Sequence, residues 1–210
     1  MNPLDFVKQI EWLGHDAFRI NASRTIYIDP YELSGGRKAD LILISHEHYD
    51  HCSPEDVKKI VSPQTRIITE KKSAKKLTGQ VTTAKPGDIL TIDALTIQVT
   101  PAYNTNKKFH PQKNGWIGFV IEIDGVKIYH AGDTDLIPEM KSIQADIALL
   151  PVSGTYVMTA EEAAEAALLI NPQIAIPMHY GSLVGGLGDA ERFQTLLKGK
   201  MAVTLLPRSS

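Results

Sequence analysis

Short apolar runs alternate with turn-forming residues along most of the chain. In the first third, segments 6–13, 17–21 and 25–29 are rich in β-branched and aromatic residues, and Gly14 and Asp29-Pro30 provide breaks. Runs of this kind, bounded by such turn signals, are typical of β-strands. The pattern therefore predicts a meander of short strands.

Segments 40–45 and 147–152 each contain a continuous apolar run, as expected for strands that are buried on both faces. The first run leads directly into polar residues, which then lie at the end of a buried strand. Further strands are predicted within 81–99, with turns at Pro86-Gly87 and Asp93, in a hairpin of 116–123 and 126–130 around Asp124-Gly125, and at 174–177 and 202–206.

Capping signals predict the helices. Ser53 followed by Pro54 predicts a short helix that runs to residue 60, and Thr159 with Glu162 forms a capping box for an Ala-rich helix that ends at Asn171. Two more helices are predicted at 73–77 and 189–198. Both halves of the chain run through strands, a strand-end loop and a helix, so an internal structural duplication is an open interpretation.

Composition narrows the class of protein. The 210 residues are 43% hydrophobic and 22% charged, the usual balance of a globular protein, and we expect one domain over residues 1–210. The net charge of −2 argues against a general binder of nucleic acid or of anionic membranes. We expect a small-molecule substrate as the partner, no nucleic acid and no membrane span; a homo-oligomer stays open.

The single cysteine, Cys52, excludes an internal disulfide framework and is expected to be a small buried residue. The first residues lack the basic and apolar regions of a secretory signal. The cytoplasm is therefore the expected location. Seven histidines against one cysteine are the imbalance that remains to be explained.

The strongest chemical signal directly follows the buried strand at 40–45. His46, His48, Asp50 and His51 occupy four of six positions, a pattern expected by chance in roughly one chain in two thousand of this composition. His46 and His48 can face one cation, whereas Asp50 and His51 can point in a second direction, towards another metal site. Imidazole and carboxylate suit zinc, manganese or ferrous iron, and the lack of thiolates argues against a structural zinc site. The alternative is a solvated, histidine-rich turn.

Two further polar segments follow predicted strands. Asp133 comes after strand 126–130, where a carboxylate could bridge two cations, and His179 comes after strand 174–177. Taken alone, Asp133 would be interpreted as a turn residue and His179 as a packed or surface histidine. Their position at strand ends favours metal binding.

These motifs make the chain resemble a known family. The chain contains HEHYDH, GDT and MHYG in this order, and in these motifs it is similar to the metallo-β-lactamase superfamily of metal-dependent hydrolases. It also resembles the compact branch typified by L-ascorbate-6-phosphate lactonase in four further segments: WLGH at 12–15, Asp29-Pro30, Pro101-Ala102 and HAGDT at 130–134. The resemblance implies an α/β (α+β) fold. Specifically, it implies a four-layer αβ/βα sandwich of two mixed β-sheets with helices outside.

The resemblance also implies a dinuclear site with two divalent metal ions, zinc first and manganese or iron as alternatives. His46 and His48 would hold the first ion, Asp50, His51 and His179 the second, and Asp133 would bridge them. The family's third ligand to the first ion is a histidine that closely follows Pro-Ala, but this chain has Asn104 near that place and His110 further on. We favour His110, because imidazole binds such cations better than a carboxamide; otherwise Asn104 or water completes the site.

Other residues near these motifs are candidates for supporting roles. His15 is interpreted as facing the substrate or a ligand, or as a hydrogen-bonded strand-end residue, and His130 as a residue that orients a ligand or packs. Lys107 and Lys108, in the irregular loop 101–115, could meet an anionic substrate, and Tyr156 could contact it.

The implied reaction is hydrolysis by a metal-bound hydroxide, with Asp50 or Asp133 passing a proton to the leaving group. An ester or lactone bond of a small anionic substrate is the leading prediction. A phosphodiesterase acting on a small molecule or lipid is the close alternative, and a non-catalytic metal-binding sensor is the alternative from another class.

Overall fold

The computed structural model describes residues 2–209. Within this range, thirteen strands form two sheets. The strands are β1 Ile10–Gly14, β2 Ala17–Asn21, β3 Thr25–Ile28, β4 Leu41–Ile44, β5 Arg66–Thr69, β6 Gln80–Thr83, β7 Ile89–Ile92, β8 Leu95–Pro101, β9 Ile117–Ile123, β10 Val126–His130, β11 Ile147–Pro151, β12 Ile174–Met178 and β13 Ala202–Val203. The α-helices are α1 Pro3–Phe6, α2 Pro54–Ile60, α3 Lys71–Ala74, α4 Ala160–Ile170 and α5 Leu187–Leu197, and 3₁₀ turns cover Val7–Gln9, Gln112–Asn114 and Pro138–Ser142.

Both sheets are mixed and share one plan. The first has the order β1-β2-β3-β4-β5-β6, antiparallel up to β3 and parallel beyond it. The second has the order β13-β12-β11-β10-β9-β8-β7, antiparallel from β7 to β10 and parallel from β10 to β13. The two halves of the chain therefore build similar sheets, in line with the interpretation of a structural duplication.

The side chains of β4 show how the layers are stacked. Leu41 and Leu43 belong to the large core, which contains residues of both sheets, whereas Ile42 and Ile44 belong to a smaller core with Val57 of α2. Successive residues of a strand point to opposite faces, so the all-apolar sequence of β4 serves both cores. The result is the predicted sandwich of two mixed sheets with helices outside. None of the helices formed by residues 2–209 is long and apolar enough to cross a membrane.

The predicted elements are largely confirmed, and the exceptions have local causes. Helix α2 starts at Pro54 with Asp56 N donating to Ser53 Oγ, and α4 carries the Thr159–Glu162 capping box. The strand predicted at 6–13 is wrong at its start, because the Asn2 side chain caps helix α1 and β1 begins only at Ile10.

Other boundaries also differ from the prediction, and the last helix, predicted at 189–198, is observed at Leu187–Leu197. The helix predicted at 73–77 lies at Lys71–Ala74, because the Glu70 carboxylate accepts hydrogen bonds from the backbone N–H groups of Lys72 and Ser73 and so starts the helix earlier. The last strand pairs only at Ala202 and Val203, next to β12.

Candidate metal centre

The histidine motif and the other predicted ligands meet at one edge of the two sheets. The loop 46–51 follows β4, Asp133 follows β10 and His179 follows β12. These strands lie in parallel stretches of their sheets, so their carboxyl ends bring residues that are distant in sequence to the same edge. All the predicted ligands except His48 and Asp50 are buried, and these two are half-buried.

The first cluster consists of His46, His48 and His110, and one ring nitrogen from each lies within 4.8 Å of the others. The His46 Nε2 and His48 Nδ1 atoms are 3.0 Å apart, and the Ser45 hydroxyl lies 3.0 Å from His46 Nδ1. The indole of Trp116 packs beside all three imidazoles, at ring-centroid distances of 4.7 to 5.2 Å. Three imidazoles that converge in this way suit a divalent transition metal.

The structure separates the two candidates for the third position of this cluster. His110 presents Nε2 to the cluster, while its Nδ1 lies 3.1 Å from the Tyr156 carbonyl oxygen. Asn104 instead uses its carboxamide to hold the loop in place. Its Oδ1 accepts from the His110 backbone N–H at 2.8 Å, and its Nδ2 donates to the Tyr156 carbonyl oxygen and to Asp135, which lie outside the loop. Asn104 thus shapes the loop that carries His110.

The second cluster consists of His51, Asp133, His179 and Asp16, again with one donor atom from each within 4.8 Å of the others. His15 forms a similar group with His51 and His179. Asp50 lies at the border of this cluster, with Oδ2 3.8 Å from His51 Nε2 and 3.1 Å from His15 Nε2.

Asp133 lies between the two clusters. Its Oδ2 is 3.1 Å from His110 Nε2 and 3.3 Å from His179 Nε2, and its Oδ1 is 3.4 Å from His51 Nε2. The first of these histidines belongs to the first cluster and the other two to the second. Asp133 therefore connects the two clusters.

Buried atoms without hydrogen bonds provide a test of whether a metal fits here. Nε2 of His51, Nε2 of His110 and Oδ1 of Asp133 are buried and have no hydrogen-bond partner among residues 2–209. His51 Nε2 nevertheless lies 3.4 Å from Asp133 Oδ1, and His110 Nε2 lies 3.1 Å from Asp133 Oδ2. Buried polar atoms are nearly always paired, and donors that converge on a common space without pairing are what a cation requires. The residues present therefore fit metal ions.

Outer hydrogen bonds orient the ring nitrogens. Asp29 Oδ2 lies 2.9 Å from His51 Nδ1, and Asp29 also accepts from the backbone N–H and hydroxyl of Ser45. Ser153 Oγ lies 2.8 Å from His179 Nδ1. Each contact engages Nδ1 and leaves Nε2 directed towards Asp133, the arrangement by which proteins fix a metal-binding imidazole.

Electrostatics in the site follow from burial and from the mixture of charges. Burial alone would raise the pKa of Asp133, but the neighbouring imidazoles of His179, His51 and His110 hold it well below its usual range. The pKa of Asp50 is lowered to about 2, because the hydrogen bond from His15 and the charge of His51 outweigh burial. Burial lowers the pKa of His46 and His48, so these imidazoles are neutral and keep a lone pair for a metal.

The backbone at the site adopts unusual conformations. His15, Asp29 and His179 have φ angles of 52°, 43° and 60°, in the left-handed region that residues with side chains rarely adopt. Gly132, with φ of 63°, precedes Asp133, and a Cβ atom there would lie 2.9 Å from the Ile117 carbonyl oxygen. Only glycine fits at this turn, which delivers Asp133 to the centre.

The sequence analysis missed Asp16 and Trp116 beside the two clusters, and also Ser153 and the cavity residues Tyr49, Phe109, Leu183 and Val184. Asp16 follows WLGH directly and is fully buried, and neither of its carboxylate oxygens has a hydrogen-bond partner in the described part of the chain. A buried charged residue cannot be recognised as such from one sequence. Trp116 donates from Nε1 to Glu47 Oε2 at 2.8 Å and so links the loop after β8 to the histidine motif.

Replacement of Asp16 by asparagine is expected to stabilise the metal-free protein. Burial and the nearby Asp133 carboxylate raise the pKa of Asp16 well above 3.8, so its ionisation destabilises the fold as pH rises above the unfolded-state value. Asp16→Asn removes that cost, and the amide that it introduces can donate a hydrogen bond to Asp133. We expect a gain of about 1–3 kcal/mol near neutral pH that disappears below about pH 4, measured by urea unfolding across pH. A loss of stability at neutral pH would contradict this view of Asp16.

The remaining candidates have defined places. His130 is buried on β10, where Nε2 donates to the Asp16 carbonyl oxygen and Nδ1 accepts from the Gly132 N–H, so it links the turns that carry Asp16 and Asp133. Cys52 is buried, and burial raises its pKa to about 11, which leaves the thiol unreactive.

Lys107 has acidic partners within the protein. Its Nζ lies 2.6 Å from Asp135 Oδ1 and 3.8 Å from Glu162 Oε2, and its side chain is 15% exposed. Lys108 is exposed. Neither lysine lines the cavity beside the metal centre, so the interpretation that they meet an anionic substrate gains no support from these contacts.

A cavity of about 390 Å³ opens onto both clusters. This volume lies in the range of sites for small molecules. Its lining contains metal-centre residues and apolar or aromatic residues from the loops after β4, β8, β11 and β12: His48, Tyr49, Asp50, Phe109, His110, Asp133, Tyr156, Leu183 and Val184.

Comparisons with known proteins identify the family and agree with the fold. Residues 9–179 match the family described as the Beta-lactamase superfamily domain. A UPF0173 metal-dependent hydrolase of Methanoculleus marisnigri is 35% identical over 203 residues, covering 90% of this chain and 88% of the relative.

Solved structures are similar over nearly the whole chain. A crystal structure from Parabacteroides distasonis has a TM-score of 0.83 at 36% identity and covers 94% of this chain and 91% of its own. A Thermotoga maritima structure, described as a member of the metallo-β-lactamase superfamily, has a TM-score of 0.65 at 25% identity and covers 94% and 97%. The narrower resemblance to the ascorbate-6-phosphate lactonase branch stays a prediction.

Proposed function

Because the chain belongs to the β-lactamase superfamily of metal-dependent hydrolases, we propose that it cleaves an ester or lactone bond of a small molecule at a centre of two divalent metal ions. The observation that carries this proposal is the position of Asp133 between two groups of histidines. A single ion would need only one of these groups. The paired arrangement therefore favours a dinuclear centre.

We assign His46, His48 and His110 to the first ion and Asp50, His51 and His179 to the second, with Asp133 shared. Zinc is the first expectation for a site of imidazoles and carboxylates, and manganese or iron are the alternatives. When bound, such ions lower the pKa of coordinated water towards about 7 and stabilise negative charge on the substrate oxygen.

The protein's own residues position these components and provide a route for the proton. Asp29 and Ser153 hold the rings of His51 and His179 through their Nδ1 atoms. Asp50 lines the cavity and its side chain is 16% exposed, whereas that of Asp133 is 4% exposed. Of these two carboxylates, Asp50 is the better placed to accept a proton from water and to pass it to the leaving group.

Parallel assays on one metal-replete preparation test the reaction type. We expect about two divalent ions per chain by elemental analysis, and hydrolysis of lactones or p-nitrophenyl esters at least about tenfold faster than that of bis(p-nitrophenyl) phosphate. Among residues 2–209, no lysine or arginine side chain lines the cavity, so none is available there to hold a phosphodiester. This agrees with the expected order of rates.

Other outcomes identify the alternatives. Turnover of the phosphodiester without turnover of esters or lactones would make the protein a phosphodiesterase. Fewer than one ion per chain after metal-replete purification, with no hydrolysis of any substrate, would favour a non-catalytic sensor.

A further inference from the structure

Exposed apolar side chains surround the cavity beside the metal centre. Tyr49, Phe109 and Leu183 are 64%, 51% and 41% exposed, and they come from three different loops. Single exposed hydrophobic residues are common on protein surfaces, but a group around one cavity indicates a binding site. The loops after β4, β8 and β12 thus contribute one apolar wall each.

Contacts with neighbouring aromatic rings restrict two of these side chains, Phe109 and Tyr49. The Phe109 and Tyr156 rings meet edge to face with centroids 4.6 Å apart, and the Tyr49 and Tyr31 rings do so at 5.9 Å. Such pairs restrict the rings, while Tyr49 and Phe109 stay largely exposed. The apolar surface is therefore largely formed before a ligand arrives.

The charged residues at the cavity also favour a ligand without a negative charge. Among the lining residues of the described chain, the only carboxylates are Asp50 and Asp133 of the metal centre, and no lysine or arginine is present. Of the two neighbouring lysines in the loop after β8, Lys107 is already paired with Asp135, and Lys108 does not line the cavity. A negative charge on the part of the substrate remote from the reacting bond would meet apolar walls without a partner, which is unfavourable.

We propose that the substrate is an uncharged ester or lactone whose alkyl or aromatic group lies against Tyr49, Phe109 and Leu183. The inference rests on the proposed hydrolase function and adds the class of substrate. It replaces the anionic substrate expected from Lys107 and Lys108. The cavity volume of about 390 Å³ limits this group to the size of a small molecule.

Matched esters test the inference on the metal-replete protein. p-Nitrophenyl butyrate and mono-p-nitrophenyl succinate have the same length, but the second ends in a carboxylate. We expect kcat/KM at least about tenfold higher for the butyrate, and a rise of about twofold to fourfold per added methylene from acetate through butyrate to hexanoate. Rates are corrected for spontaneous hydrolysis.

Variants of the wall residues test whether these side chains cause the preference for longer uncharged esters. Phe109→Ala and Leu183→Ala are each expected to lower the hexanoate-to-acetate ratio of kcat/KM at least about threefold. Ile89→Ala is the control, because Ile89 is 67% exposed on β7 and does not line the cavity, and its ratio should stay unchanged. The ratio does not depend on the fraction of active protein, so a partly unfolded variant still gives an answer.

The outcomes distinguish this inference from the function on which it rests. Ester hydrolysis that is independent of chain length, or faster for the succinate, would overturn the apolar substrate and leave the hydrolase function intact. A metal-replete protein that hydrolyses none of these esters or lactones would overturn the proposed function and this inference with it.

Discussion

Asp133→Asn is expected to lower the hydrolytic kcat/KM more than about 100-fold and to reduce the bound metal from about two ions per chain to fewer than one. Asp133 approaches His110 in the first cluster and His51 and His179 in the second, all within 3.4 Å. The substitution keeps the shape but removes the negative charge shared by both groups. Loss of a residue that only orients a ligand costs about 10–100-fold, so loss of a shared ligand should cost more.

The fold should survive this substitution. The core consists of apolar residues of both sheets and the helices, and it does not include Asp133. We expect an unchanged far-ultraviolet circular dichroism spectrum and a cooperative thermal transition. Asp124→Asn, in the exposed turn between β9 and β10, is the control and should keep both ions and the activity. Two ions retained in Asp133→Asn would contradict the shared position.

His110→Ala is expected to leave about one ion per chain and to reduce kcat/KM at least about 100-fold, since the first cluster would keep only His46 and His48. Its companion, Asn104→Ala, should retain two ions at saturating metal. The Asn104 side chain binds His110 within the loop and Asp135 and Tyr156 outside it, so its loss is expected to lower stability by about 1–3 kcal/mol.

Elemental analysis and urea unfolding of both variants separate the two roles. If added imidazole partly restored the activity of His110→Ala, this would be a further sign that the variant lacks a metal ligand. The reverse pattern, in which Asn104→Ala loses an ion and His110→Ala keeps both, would assign the first site to the carboxamide. It would also require the loop after β8 to rearrange when metal binds.

Local patterns were sufficient to predict much of this protein. The caps of α2 and α4 lie within four residues of sequence, and the hairpin of β9 and β10 is specified by its own turn. The motif from His46 to His51 follows β4 directly, so its place at a strand end is also local. Interactions of this kind depend on neighbours in sequence and can be recognised in one chain.

Contacts between distant segments decided the rest. His110 rather than Asn104 faces His46 and His48 because Tyr156, from the segment after β11, accepts hydrogen bonds from both residues of the loop. Lys107 is turned to Asp135, 28 residues away, and not to the cavity. No spacing in the sequence indicates either pairing.

By itself, then, the sequence determined the strand ends and caps, which are local features, and its motifs were sufficient to identify the family. The resemblance to that family implied the mixed sandwich and most of the residues that meet at the candidate metal centre. Only the tertiary structure placed the buried Asp16 carboxyl beside Asp133 and brought Tyr49, Phe109 and Leu183 around one cavity. Burial and the convergence of loops arise from packing between the two halves of the chain, and this packing determines which charges and apolar surfaces a substrate meets.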